Sequence, residues 1–318
     1  MPFCYRRRSP ATGRRREIGS NPDSSSAHPF AFLALLVGSC SLALGPWLVR
    51  LSGTGPVAAG FWRLALALPF LFLIARMTRR PVHWPGRALA LVVAFAAFCF
   101  AADLALWHTG IHMTKLGNAT LFGNVSSFAF AAWGLWLVRK WPSPMQAAAL
   151  FLAALGAGLL MASSAELSAR NLRGDLLALG AGLLYTGYLV AVERGRGQLA
   201  ALPLLFLASL FGAAMLLPVS LVMGERIFPA DWSYVLLLAL GSQVLGQGLL
   251  VYAIGALPPL IVGLALLTQP AISALVGWLV YREALSPLDW LGAAAIGIAL
   301  VLVRLPGRGL RGGAEAAT

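Results

Sequence analysis

Runs of roughly twenty mostly apolar residues recur along the chain, each long enough to cross the ~30 Å hydrocarbon core of a bilayer as a helix. They fall at about Phe30–Val49, Val57–Ala75, Ala88–Trp107, Leu116–Val138 and Met145–Ser163. After a polar break at Ser164–Arg173 they resume at about Leu176–Val192, Leu199–Met223, Trp232–Ile254, Leu260–Val280 and Pro287–Val303. From Trp232 to Tyr281 there are 50 residues without Asp, Glu, Lys, Arg or His. As one helix this stretch would reach about 75 Å, so it must fold back. Gly255-Ala256-Leu257-Pro258-Pro259 is the only strong breaker inside it. The pattern therefore predicts ten membrane-spanning helices.

Composition agrees with lipid as the solvent. Of 318 residues, 59% are apolar and 11% charged, where soluble domains carry about 25% charged residues. Three cysteines exclude a disulfide scaffold; Cys40 and Cys99 lie inside apolar runs as small hydrophobes, and Cys4 lies in a polar tail. Residues 1–29 read as a disordered basic tail, because Arg6–Arg8 and Arg14–Arg16 precede Ser, Pro and Asn without apolar periodicity. The run after this tail is too long, and followed by too many others, to be a cleaved signal.

A net charge of +13 raises the question of nucleic acid. The basic residues sit in short clusters between apolar runs, however, where they act as topology determinants, so no nucleic-acid partner is expected. With the N-terminus inside, 17 Lys and Arg residues fall on the cytoplasmic side. Six fall outside (Arg50, Lys115, Arg170, Arg173, Arg226 and Arg282), and Arg63 lies within a span. The bias places both termini in the cytoplasm.

A shift of 143 positions lays the first half on the second. Leu121 falls on Leu264, Ala131 on Ala274, Gly134 on Gly277, Arg139 on Arg282, Ser143-Pro144 on Ser286-Pro287 and Leu159 on Leu302. Five is an odd number of crossings, so two such copies in tandem enter the membrane in opposite senses. The expected organisation is a tail (1–29), two five-helix repeats (30–163 and 174–304) and a second cytoplasmic tail (305–318). Inverted repeats with a site near the bilayer midplane typify secondary transporters.

Several motifs carry a family resemblance. They are Thr268-Gln269-Pro270 inside a helix, Tyr281-Arg282-Glu283-Ala284-Leu285-Ser286-Pro287 before a Gly-rich last span, Phe61-Trp62-Arg63-Leu64, and Asp103-Leu104-Ala105-Leu106-Trp107-His108 followed by Asn118-Ala119-Thr120-Leu121. Over roughly residues 30–304 the chain resembles the EamA-type transporters of the drug/metabolite transporter superfamily. Two positions depart from the family pattern, which usually has an acidic residue where Lys140 stands and a proline where Ser127 stands. The resemblance implies export or exchange of small organic solutes across a bacterial inner membrane.

Polar residues inside spans mark the candidate site, since intramembrane ionisable groups are costly. Asp103 lies about 6 Å and Arg63 about 9 Å below the outer surface at 1.5 Å per residue. On neighbouring antiparallel helices they are expected to meet, as a structural clamp or an outer gate; alternatively Arg63 snorkels to the interface. Thr120, Asn124 and Ser127 share one face of the fourth helix, and Gln243 and Gln247 one face of the eighth. Such faces line a cavity or bond helix to helix. Gln269 beside Pro270 points to the cavity, because proline frees a backbone carbonyl. Trp62, Trp107, Tyr185 and Tyr188 can stack on a solute, and both tryptophans also suit an interfacial belt.

His108 and His112 stand four apart, a zinc-compatible spacing, but two ligands do not complete a site. They are expected to cap a short outer loop, with no metal or cofactor. The pairs Ala154/Gly158, Ala178/Gly182 and Ala293/Gly297 are expected to pack the bundle, and a homodimer stays open.

The expected function is secondary transport, by alternating access, of a small organic metabolite, amino-acid-like solute or drug, with the lipid bilayer as its other partner. A membrane enzyme or scaffold is the alternative, but the chain has only four histidines and no Gly-x-x-x-x-Gly-Lys phosphate loop. Reporter fusions at 80, 140, 195 and 310 are expected to report from the cytoplasm, and those at 52, 112, 168 and 228 from the periplasm. Termini reporting from opposite sides would contradict the ten-span topology.

Overall fold

The computed structural model describes residues 24–114, 116–139, 141–162, 171–281 and 286–304. Residues 1–23, Lys115, Lys140, 163–170, 282–285 and 305–318 lie outside the described residues. Among the described residues, helical segments join end to end into ten rods, and none is strand. They are α1 (Ser24–Ala43 and Gly45–Leu51), α2 (Pro56–Met77), α3 (Arg87–Met113), α4 (Leu116–Gly123 and Val125–Val138) and α5 (Pro144–Ala162). Then follow α6 (Leu172–Arg196), α7 (Ala201–Val222), α8 (Trp232–Leu237, a π-helical Leu238–Gln247, and Gly248–Ile254), α9 (Pro259–Leu266 and Thr268–Tyr281) and α10 (Pro287–Arg304).

Six of the described helical stretches are long and apolar enough to cross a membrane: Phe30–Leu51, Pro56–Met77, Arg87–Met113, Leu172–Arg196, Ala201–Val222 and Trp232–Ile254. Shorter apolar stretches are Val125–Val138, Pro144–Leu159, Pro259–Ile272 and Pro287–Val303. The outer surface is apolar: Leu91 is 73% exposed, Phe151 69% and Val301 61%. Side chains like these, spread over many helices, suit hydrocarbon and not water.

Local sequence explains where the rods start. Pro56 opens α2 and Pro259 opens α9, each at a position whose N–H has no helical partner. Asp231 accepts from the Ser233 backbone N–H (2.8 Å) and hydroxyl (2.7 Å) at the start of α8, which holds its carboxyl below the usual range. The two Ser-Pro landmarks are capping boxes. Ser143 N–H donates to Gln146 Oε1 at 2.9 Å before α5, and Ser286 N–H donates to Asp289 Oδ2 at 2.7 Å before α10.

The bounds of the rods repeat. Leu116–Gly123 and Val125–Val138 fall on Pro259–Leu266 and Thr268–Tyr281 at an offset of 143, and Pro56–Met77 falls on Ala201–Val222 at an offset of 145. The packing follows the same correspondence: α2 packs on α7, α4 on α9 and α5 on α10, while α3 packs on α6 and α1 on α8.

Of the small-residue pairs, only Ala178/Gly182 packs inside. A Cβ on Gly182 would come within 2.6 Å of Val125 Cγ1 and 2.7 Å of the Gly123 carbonyl. Gly158 and Gly297 face outward with nothing near them, and the close approach of α5 to α10 is made by Gly156 against the Gly292 carbonyl. The rods α7 and α10 match the expected bounds within two residues at each end, and α6 is longer at both. The third runs on to Met113, which carries His108 and His112 inside a helix and not in a loop.

Candidate functional site

Four rods are interrupted around one space. α1 breaks at Leu44, α4 at Asn124 and α9 at Leu267, and α8 widens into its π segment. Proline accounts for two of the breaks. Pro46 and Pro270 cannot donate to the carbonyls of Leu42 and Leu266, four residues back. In α4 the position equivalent to Pro270 is Ser127, and polar side chains do the work instead. Asn124 Nδ2 donates to the Thr120 carbonyl (2.6 Å), and Ser126 Oγ to the Gly123 carbonyl (2.9 Å). The π segment coincides with a close approach, since a Cβ on Gly38 of α1 would lie 3.0 Å from the Gly246 carbonyl.

Between the breaks lies a cavity of about 100 Å³. Leu42, Gly45 and Pro46 line it from α1, Asn124, Ser126 and Ser127 from α4, Gln247 from α8, and Leu266 and Gln269 from α9. The unbroken rods contribute Arg63 from α2, Phe100, Asp103, Trp107 and His108 from α3, and Tyr185 from α6.

Most of the residues singled out from the sequence therefore meet at one place. Arg63, Trp107, Asp103, Asn124, Tyr185, Gln247 and Gln269 all face the cavity, as do Thr120 and Ser127. Gln243 and Tyr188 are fully buried behind it. Trp62 is elsewhere: its indole donates to the Ile227 carbonyl (2.7 Å) and packs edge-on against Trp232. Trp107 is held by shape, its indole lying where a Cβ on Gly123 would be.

Two hydrogen-bond chains set the polar wall. Arg63 Nε donates to Gln243 Oε1 (3.1 Å), and Gln243 Nε2 donates to Ser209 Oγ (2.9 Å). Gln247 Nε2 donates to the Tyr185 hydroxyl (3.0 Å), while the Tyr188 hydroxyl donates to Gln247 Oε1 (3.3 Å). The aromatic rings stack beneath: Phe100 on Tyr188 at 4.4 Å, Tyr188 on Tyr185 at 5.5 Å, with the Arg63 guanidinium 5.8 Å from the Phe100 centroid.

These contacts correct two expectations. Arg63 does not snorkel: it is 6% exposed and committed to Gln243, 180 residues away. Nor do Arg63 and Asp103 form an ion pair, although both face the cavity within Coulombic range of each other. His108, expected at an outer loop, is 1% exposed in the cavity wall. Its Nδ1 lies 2.9 Å from the Pro56 carbonyl, which can only accept, so Nδ1 carries the proton and Nε2 is left as an acceptor without a partner among the described residues. His112 is exposed.

Ser209 and Phe100 were not marked by sequence reasoning. Ser209 is one hydroxyl in an apolar helix, and its partner is 34 residues away.

Known proteins share this architecture. The EamA-like transporter family profile matches residues 25–162 and again 172–305. The threonine/homoserine exporter RhtA of Escherichia coli is 27% identical over 266 residues, covering 82% of this chain and 87% of that protein. The uncharacterized transporter YwfM of Bacillus subtilis is 27% identical over 254 residues, covering 78% and 84%. A solved crystal structure superposes with a TM-score of 0.70 over 88% of this chain and 97% of its own, at 15% identity, which speaks to the fold alone.

The Ser209–Gln243–Arg63 chain makes a prediction about stability. Gln243→Leu strands a buried guanidinium N–H and should cost roughly 1–3 kcal/mol in detergent unfolding. Adding Ser209→Ala to that variant should cost little more, because the pair acts as a unit. Additive losses in a double-mutant cycle would show that the two residues are independent.

Proposed function

Because the chain belongs to the EamA-like transporter family, we propose that it is a secondary transporter that exports or exchanges a small amino-acid-like solute by alternating access across a bacterial inner membrane. Its ten rods are read as ten spans in two inverted five-helix repeats with both termini cytoplasmic. The twofold match of the family profile, the recurring rod bounds and the pairing of equivalent rods support that reading. The charge bias of the loops supports the orientation.

The observation that carries the proposal is the polar cavity built where four interrupted helices meet. Broken helices in a membrane protein are tolerated where they line a cavity, and transporters place substrate there. Arg63, Asp103, Trp107, Asn124, Tyr185, Gln247 and Gln269 are assigned as binding or gating residues on the lining, with Gln243 and Tyr188 as supports behind it. The cavity, about 100 Å³ and lined by polar and aromatic side chains, suits a small organic solute. Exporters of threonine and homoserine among the relatives point the same way.

Purified protein in vesicles is expected to exchange labelled solute down its gradient without altering it. Asn124→Leu and Gln247→Leu should each abolish exchange while the protein still elutes as a folded species from gel filtration. Wild-type exchange in both variants would return these residues to a packing role.

A further inference from the structure

The cavity lining holds one guanidinium and one carboxylate, and their hydrogen-bonding capacity is largely unspent. Arg63 uses Nε on Gln243, which leaves the paired N–H groups of Nη1 and Nη2. Asp103 is 8% exposed and receives no hydrogen bond from the described residues, although buried carboxylates ordinarily collect several. The two groups face one space without forming an ion pair with each other.

We propose that Arg63 and Asp103 are the two poles of a zwitterion site. The carboxylate of a small amino acid lies on the Arg63 fork, and its ammonium on Asp103. This rests on the transport reading above and adds the polarity and net charge of the cargo.

Charge balance favours a zwitterion over either ion. Arg63 stays protonated at any physiological pH, and among the described residues Asp103 is the only carboxylate facing it in the cavity. A zwitterion leaves the pair balanced, whereas a simple cation or anion leaves one charge uncompensated in a low-dielectric wall. Geometry agrees. A planar guanidinium matches a carboxylate through two parallel N–H bonds, and an ammonium offers only donors, which suits an acceptor-only carboxylate. Gln243 and the Phe100 ring fix the guanidinium before any ligand arrives. The same balance disfavours amino acids whose side chains carry a further charge.

The test uses full-length protein in liposomes, with counterflow of labelled L-threonine as the probe. Three unlabelled competitors are compared: L-threonine, threoninol, which has the ammonium alone, and N-acetylthreonine, which has the carboxylate alone. Threoninol and N-acetylthreonine should compete at least about tenfold more weakly than threonine. Arg63→Gln should erase the preference of threonine over threoninol, and Asp103→Asn its preference over N-acetylthreonine. Arg63→Lys should restore part of the first. If Arg63→Gln does not fold, the wild-type competitor series still decides.

Equal competition by all three compounds would overturn the zwitterion site and leave transport standing. So would exchange of an uncharged solute with no exchange of threonine. If no solute of any class exchanges, the transport reading fails, and this proposal with it.

Discussion

A backbone carbonyl or amide released from a helix inside hydrocarbon has no water to turn to, and leaving it unsatisfied costs several kcal/mol. That constraint governs this molecule. Helix breaks are tolerable only where other protein groups or a polar space receive the freed atoms, so they cannot be scattered. Here the breaks at Leu44, Asn124 and Leu267 and the π segment of α8 share one location, and the cavity lies among them. The two halves reach this result by different chemistry. Pro270 prevents a helical bond in α9, whereas Asn124 and Ser126 of α4 take up carbonyls with their own side chains.

The same constraint acts more strongly on charge. An arginine in the middle of a span costs about 2.5–3.5 kcal/mol on insertion scales, and more on an isolated helix. Snorkelling is the cheap escape, and Arg63 does not take it. Gln243 holds its Nε, the Phe100 ring lies beneath the guanidinium, and the Asp103 carboxyl group faces the same cavity. Because Arg63 can only donate, the Gln243 amide turns its oxygen to Arg63 and its Nε2 to the Ser209 hydroxyl. This fixed but incompletely satisfied guanidinium links the fold to its proposed use: the wall is organised before any solute enters.

The parts of this arrangement that are local in sequence were legible there. Apolar run length gave ten rods, and the Ser-Pro landmarks that aligned the halves at an offset of 143 are capping boxes, whose chemistry is written within four residues. The polar faces of the fourth and eighth helices were readable for the same reason. What depended on distant partners was not. Gln243 is 180 residues from Arg63, so the sequence offered snorkelling or a pair with Asp103 and not this partner. The end of α3 was set too early, at Trp107, because His108, Thr109 and His112 lower the hydropathy. In the fold, Thr109 donates back to the Ala105 carbonyl and Arg50 takes the Ile111 carbonyl, so the helix continues. The break at Leu44 had a signal in Gly45-Pro46, hidden inside an apolar run of sufficient length. The π segment coincides with the approach of Gly38 to Gly246, for which a single sequence offers no sign.

In the proposed transport cycle, the space between the broken helices is a solute path open in turn to each side of the membrane. Cysteine accessibility tests it most directly. In a chain with Cys4, Cys40 and Cys99 replaced by serine, Thr120→Cys places one thiol in the cavity lining. Vesicles of known orientation are then treated with a membrane-impermeant maleimide from one face or the other. The account predicts labelling from both faces, slowed on both by a transported solute. Labelling from one face only, or labelling that no transported solute slows, would contradict it.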